Sequence, residues 1–303
     1  MRIDQQRRLI GAVGQIETAR HLTVRPRQGN VALTGERYRA FAEEGADPVH
    51  RCPYVRERGL CTVGCDKAVL LQQPAGGFMQ GSLSSWDAAL RELVRQSGVA
   101  ALSVDYRLAP EHRFPVAFEE MVAMIRLAAR EGTDLGIDPA RLAVGGDSAG
   151  ANLALAAAAA LRNAGEGALG FTLLIYGCYS TDTESPSWQR FGRGSGLSQT
   201  QMRWIWETYL ERPEQQSDWR AAPILADPAG LPPAHLIVGN LDPLLDDSHR
   251  LAARLKEAGV ACELTVYDGI NHGFIRYGRL IAAARRAIGD CAAALRNALI
   301  AAR

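Results

Sequence analysis

At 303 residues the chain is long enough for one large domain or two small ones. Its 47% hydrophobic and 22% charged residues are ordinary for a soluble globular protein. Lys plus Arg (34) nearly equals Asp plus Glu (33), which argues against a dedicated nucleic-acid binder with its strong basic excess. No run approaches the ~20 apolar residues of a membrane span. The segment Met1–Ile10 lacks the apolar stretch of a signal peptide, so a cytoplasmic protein is expected. The six cysteines, at 52, 61, 65, 178, 262 and 291, read as free thiols rather than a disulfide framework. Cys61 and Cys65 are separated by three residues and have no second pair downstream, so no metal is assigned to them.

In chain order, residues 1–49 carry little pattern beyond a helix around Thr34–Glu44, and form an N-terminal cap segment or arm. His50–Gln73 holds three cysteines and little periodicity, as an altered reading frame somewhere between about residues 50 and 75 would produce. Short apolar, often β-branched runs then recur at Ala68–Leu71, Val99–Val104, Leu142–Val144, Phe171–Ile175, His235–Val238 and Leu264–Tyr267. Such runs suit parallel strands covered on both faces. Helical patterns separate them at Ser84–Ser97, Pro115–Glu131, Ala149–Ala164, Thr200–Leu210, Ser248–Ala258 and Arg279–Ala302. This alternation specifies βαβ units and an α/β, mostly parallel, doubly wound sheet over residues 50–303.

The strongest chemical signal is Gly146-Asp147-Ser148-Ala149-Gly150, a Gly-x-Ser-x-Gly between an expected strand and an expected helix. That context is what a nucleophile elbow requires: a turn so tight that only glycines fit beside the serine. A phosphate loop would want Gly-Lys-[Ser/Thr] instead, which is absent. A serine nucleophile needs a base and the base an orienting carboxylate, in the chain order Ser, acid, His, each after a strand. Asp242 follows His235–Val238, 94 positions after the serine, and His272 follows Leu264–Tyr267, 30 positions later. Asp246 and Asp247 are rivals for the acid role, but they open the next helix, where acidic residues suit its N-terminus. His21, His50, His112, His235 and His249 stand in the wrong places for the base.

Four blocks together resemble the hormone-sensitive-lipase-like branch of the α/β-hydrolases, which holds many bacterial carboxylesterases. They are Gly76–Ser82, Asp105–Pro115, Gly146–Gly150, and the pair Leu241–Leu244 with Asn271–Phe274. The resemblance spans about residues 67–300. It implies the α/β-hydrolase fold with a helical cap built from the N-terminal segment and an insert at about 185–215. That insert carries Trp188, Phe191, Met202, Trp204, Trp206 and Tyr209. It implies a Ser148–Asp242–His272 triad, and an oxyanion hole formed by the N–H groups of Gly76, Gly77 and Ala149. It also implies hydrolysis of small to medium carboxylic esters without metal or cofactor; a homodimer is compatible with it, though nothing in the sequence marks an interface.

The departure from that family lies in the oxyanion loop. The pattern His-Gly-Gly-Gly-Phe is replaced by Pro74-Ala75-Gly76-Gly77-Phe78. Pro74 donates no backbone hydrogen bond, and Ala75 resists the positive φ open to glycine. The loss leaves a second reading, a catalytically weak or inactive small-molecule binding protein on the same fold. Retention of His272 favours the enzyme.

Overall fold

The computed structural model describes residues 67–73, 76–81, 83–133, 137–194 and 196–301. The expected N-terminal cap segment, Cys52, Cys61, Cys65, and both altered loop positions, Pro74 and Ala75, lie outside the described residues.

Among the described residues six strands, all parallel, form one sheet in the order β2-β1-β3-β4-β5-β6. They are β1 (Lys67–Gln73), β2 (Ala100–Ser103), β3 (Ile137–Asp147), β4 (Leu169–Ile175), β5 (Ala234–Gly239) and β6 (Cys262–Tyr267). The helices are α1 (Leu83–Ser97), α2 (Val116–Glu131), α3 (Ala149–Asn163), α4 (Pro186–Phe191), α5 (Gln199–Tyr209), α6 (Leu245–Glu257) and α7 (Ala282–Arg296). The α/β, doubly wound architecture expected from the alternating pattern is therefore the one observed.

Alternation along the strands divides the core into two layers. Leu71, Leu142, Val144, Leu174 and Leu236 face α2, α3 and α6, whereas Leu70, Ala143, Leu173 and Ile237 face α1 and α7. Helix α3 is buried almost all round, as its run of alanines requires. Rich in alanine, it packs directly against β3 and β4.

The differences from expectation are local. β3 begins at Ile137, so Asp138-Pro139 lies inside the strand, where the register to β1 shifts. Helix α6 begins at Leu245 and takes both Asp246 and Asp247 into its first turn. The long C-terminal helix is α-helical to Arg296 and then relaxes into a π turn over Asn297–Ala301. Helix α4, six residues that follow the N-cap Ser185 and begin at Pro186, is too short to show a period in sequence.

This topology positions the site. The chain leaves β1 for β2 on one side and returns to β3 on the other, so the direction of winding reverses between β1 and β3. In open α/β sheets the crevice at such a reversal, beyond the carboxyl ends of the strands, is where ligands bind. The registers Gln73↔Gly146, Asp147↔Ile175 and Gly239↔Tyr267 bring the strand ends level, so the loops that follow them converge.

Candidate active site

Ser148 stands between β3 and α3 with φ 52° and ψ −118°, a left-handed conformation that costs an L-residue about 1–3 kcal/mol. The turn is held from both sides. The Ser148 N–H donates to the Ile175 carbonyl of β4 at 2.9 Å. A Cβ on Gly146 would stand 2.4 Å from the carbonyl carbon of Gly150, so that position accepts only glycine. The serine is 9% exposed, at the first residues of a helix whose leading N–H groups have no intrahelical partner.

His272 Nε2 lies 3.0 Å from Ser148 Oγ, and His272 Nδ1 lies 2.8 Å from Asp242 Oδ2. Asp242 is fully buried in the turn after β5, and its other oxygen accepts the Leu244 N–H at 2.9 Å. Both carboxylate oxygens are thereby engaged and the side chain is held in one rotamer. The histidine loop is braced in its turn: Asn240 bonds the side chain of Asp268 and accepts the Gly269 N–H at 2.8 Å. The structure thus brings together the three residues expected from the elbow context and the strand spacing.

The oxyanion candidates lie at the same crevice. Gly76 (φ 152°) and Gly77 (φ 57°) follow β1, and the Gly76 carbonyl accepts the N–H groups of Met79 and Gln80 to close a tight turn. A Cβ on Gly76 would lie 1.6 Å from the Gln80 carbonyl oxygen, and one on Gly77 would lie 2.8 Å from Ile205 Cδ1 of α5. Ala149 is the first residue of α3, and its N–H points out of the helix N-terminus, where the helix dipole favours negative charge.

The insert expected at about 185–215 contains α4 and α5. Helix α5 docks on the Gly76–Gly81 turn and the Asp105–Pro115 block through a ring cluster of Phe78, Trp206, Tyr209 and Phe114. Trp206 is buried and Trp204 is 42% exposed, as two residues two positions apart on a helix must be. The Asp105–Pro115 block lies between the two parts. Its Ala109 N–H donates to Phe78 and its Phe114 N–H to Tyr209, both at 2.9 Å. Buried Glu120 holds the block from below through the Arg107 N–H and guanidinium.

The rivals have other tasks. Asp247 is buried and accepts the N–H groups of Tyr179 and Ser180, both at 2.9 Å; burial pushes its carboxyl up to about 7. Asp246 accepts the Ser187 N–H. His235 bonds Thr265 across β5 and β6, and burial lowers its pKa. Two further residues, Asn152 and Tyr176, escaped the sequence reading. Asn152 donates to the carbonyls of Cys178 and Ala221, both at 2.7 Å, and its position four after Ser148 places it on the same helical face. Tyr176, the residue directly beyond β4, lies against His272; its place at a carboxyl end of the sheet was the available signal. Cys178, Cys262 and Cys291 are free. Among the described residues no helix is long and apolar enough to cross a membrane, and no group of three or more His, Cys, Asp or Glu gathers to hold a metal ion.

A sequence profile described as the alpha/beta hydrolase fold matches residues 73–276. The ethyl acetate hydrolase of Pseudomonas putida is 37% identical over 216 residues, 71% of this chain and 68% of that protein. Carboxylesterase NlhH of Mycobacterium tuberculosis is 33% identical over 235 residues, 76% of this chain and 74% of that protein. Among solved structures, the thermostable carboxylesterase EstE1 from a metagenomic library superposes with a TM-score of 0.77 at 37% identity, covering 78% of this chain and 82% of that one. The hyperthermophilic esterase of Pyrobaculum calidifontis gives 0.74 at 35%, with 78% and 76% covered. The chain belongs to the α/β-hydrolase-fold family. Within it, the chain falls in the hormone-sensitive-lipase-like branch.

Proposed function

We propose that this chain is a serine carboxylic-ester hydrolase working through an acyl-enzyme. Ser148 Oγ attacks the ester carbonyl carbon while His272 Nε2 takes the hydroxyl proton. Asp242 fixes the imidazole with Nδ1–H toward its carboxylate and stabilises the imidazolium that forms. The oxyanion is met by the N–H groups of Gly76, Gly77 and Ala149. Collapse of the tetrahedral adduct breaks the C–O bond to the alcohol, which leaves with the proton from His272. Water then attacks the acyl carbon with His272 again as base, and Ser148 is regenerated with the carboxylic acid released. No step calls for a metal or an organic cofactor.

The observation that carries this reading is the continuous hydrogen-bonded line from Ser148 Oγ through His272 to buried Asp242. We read residues 50–303 as the catalytic domain with a cap insert at about 185–215, and residues 1–49 as a cap segment or arm. The aromatic content of the insert at about 185–215, together with the name of the Pseudomonas relative, supports small to medium esters as substrates.

The test is p-nitrophenyl acetate and butyrate with the parent chain and Ser148→Ala. Turnover by the parent with a loss of at least about a thousandfold in the variant is expected. A p-nitrophenyl ester of sixteen carbons should react more slowly than one of four. Saturable binding without turnover in the parent would establish the binding-protein reading instead.

A further inference from the structure

Building on the hydrolase reading, we infer that Tyr176 is a positioning residue that locks the imidazole of His272 to the nucleophile elbow through Asp147. Tyr176 is fully buried at the end of β4, with φ 36°. Its N–H donates to the Ile237 carbonyl of β5 at 2.7 Å, while the preceding Ile175 carbonyl accepts the Ser148 N–H at 2.9 Å. The residue is therefore wedged between the strand that carries the serine and the strand that leads to the acid.

Its two ends reach two parts of the site. The ring lies 4.8 Å from that of His272 at 63°, an edge-on contact, and the Phe274 ring backs it at 5.5 Å. The hydroxyl donates to Asp147 Oδ2 at 3.2 Å, on the residue directly before the nucleophile. A left-handed φ at a bulky aromatic residue persists only where its surroundings hold it. Here two strand hydrogen bonds, two rings and a buried carboxylate do so.

The physical need lies in the second half of the reaction. In the free enzyme His272 is held by two hydrogen bonds, one at each nitrogen. These leave the ring able to roll about the line joining its nitrogens. Once Ser148 is acylated, Oγ carries no proton and the bond to Nε2 is lost. Asp242 alone then holds the imidazole, and it must still aim Nε2 at the incoming water. A ring packed edge-on against the imidazole blocks that roll, and its anchorage to Asp147 keeps the block in register with the serine. Deacylation should thus depend on Tyr176 more than acylation does.

The experiment compares Tyr176→Phe, Tyr176→Leu and the control Tyr179→Phe on p-nitrophenyl butyrate, with burst amplitude, kcat and kcat/KM measured beside the melting temperature. Tyr179 belongs to the same buried loop, but its hydroxyl has no hydrogen-bond partner among the described residues. For this ester kcat/KM reports acylation, while kcat falls when deacylation slows. Tyr176→Phe, which keeps the ring and loses the anchor, should lower kcat about 3–10-fold with kcat/KM within about twofold, and raise the burst toward one per site. Tyr176→Leu should deepen the same split, and Tyr179→Phe should show none of it. An unchanged kcat in folded Tyr176→Phe, or an equal fall in kcat/KM, would overturn the inference, and this variant decides even if the leucine variant does not fold. Absence of any Ser148-dependent rate in the parent would instead overturn the hydrolase reading on which it rests.

Discussion

The ring of Phe78 lies flat on that of Tyr209, with centroids 3.8 Å apart and planes 6° from parallel. One ring belongs to the turn that presents Gly76 and Gly77, and the other ends helix α5. The stack therefore joins the proposed oxyanion loop to the proposed cap.

Removing that stack should unsettle both parts together. Tyr209→Ala is expected to cost about 3–5 kcal/mol in urea unfolding, as for other buried aromatics, and to lower kcat as the loop loses its support. Tyr209→Phe should match the parent or gain about 1 kcal/mol, because the buried hydroxyl has no hydrogen-bond partner among the described residues. A phenylalanine variant less stable than the parent by more than about 1 kcal/mol would show that the hydroxyl is engaged.

Gly77 should not tolerate a side chain. Its φ of 57° strains any L-residue, and a Cβ would press on Ile205 Cδ1 at 2.8 Å. Gly77→Ala is expected to lower kcat about tenfold or more with little change in KM, since oxyanion donors act on charge that develops in the transition state. Adding Ile205→Val to Gly77→Ala removes the clashing methyl and should restore part of the loss. If the double variant is no faster than Gly77→Ala, the backbone strain rather than the contact is responsible.

The replacements at Pro74 and Ala75 make a prediction from sequence alone. Pro74→His with Ala75→Gly should raise kcat roughly tenfold, about 1.4 kcal/mol, by improving the placement of the Gly76 and Gly77 N–H groups. The gain stays below the ~10²–10³ of a deleted donor because no donor is missing. An unchanged kcat in a double variant of unaltered melting temperature would mean that the loop already places its donors well.

Asp247 should make stability depend on pH. Burial raises its folded pKa to about 7, above the ~3.9 of an unfolded aspartate, so the folded state binds the extra proton. The contribution of the protonated form is fully present below about pH 4 and is lost as pH rises through about 7. Its size is on the order of 4 kcal/mol across that window. Asp247→Asn keeps an oxygen for the Tyr179 and Ser180 N–H groups but cannot ionise. It should melt with the parent at about pH 4 and above it at pH 8. Parallel curves of melting temperature against pH for the two proteins would remove Asp247 as the titrating group.

Much of the site was legible because its residues carry local constraints. A Gly-x-Ser-x-Gly between strand and helix can be read from five positions, since the turn itself forbids side chains at its flanks. Asp242 and His272 could be placed because each follows an apolar run, and a parallel sheet brings the ends of such runs to one edge. The α/β class followed from the same alternation.

What only the tertiary structure decided are pairings between residues far apart in the chain. Asp247 reads only as an acidic residue suited to a helix N-terminus, yet packing buries it under the loop after β4. Trp204 and Trp206 are equivalent in sequence, and only the docking of α5 on Phe78 buries one and exposes the other. Tyr176 meets His272 across 96 positions, beyond the ends of β4 and β6, which flank β5 in the sheet and which no periodicity links. Hydrophobic period and turn chemistry act over one element at a time. The contacts that orient a side chain depend on which elements become neighbours, and that is settled only when the sheet is assembled.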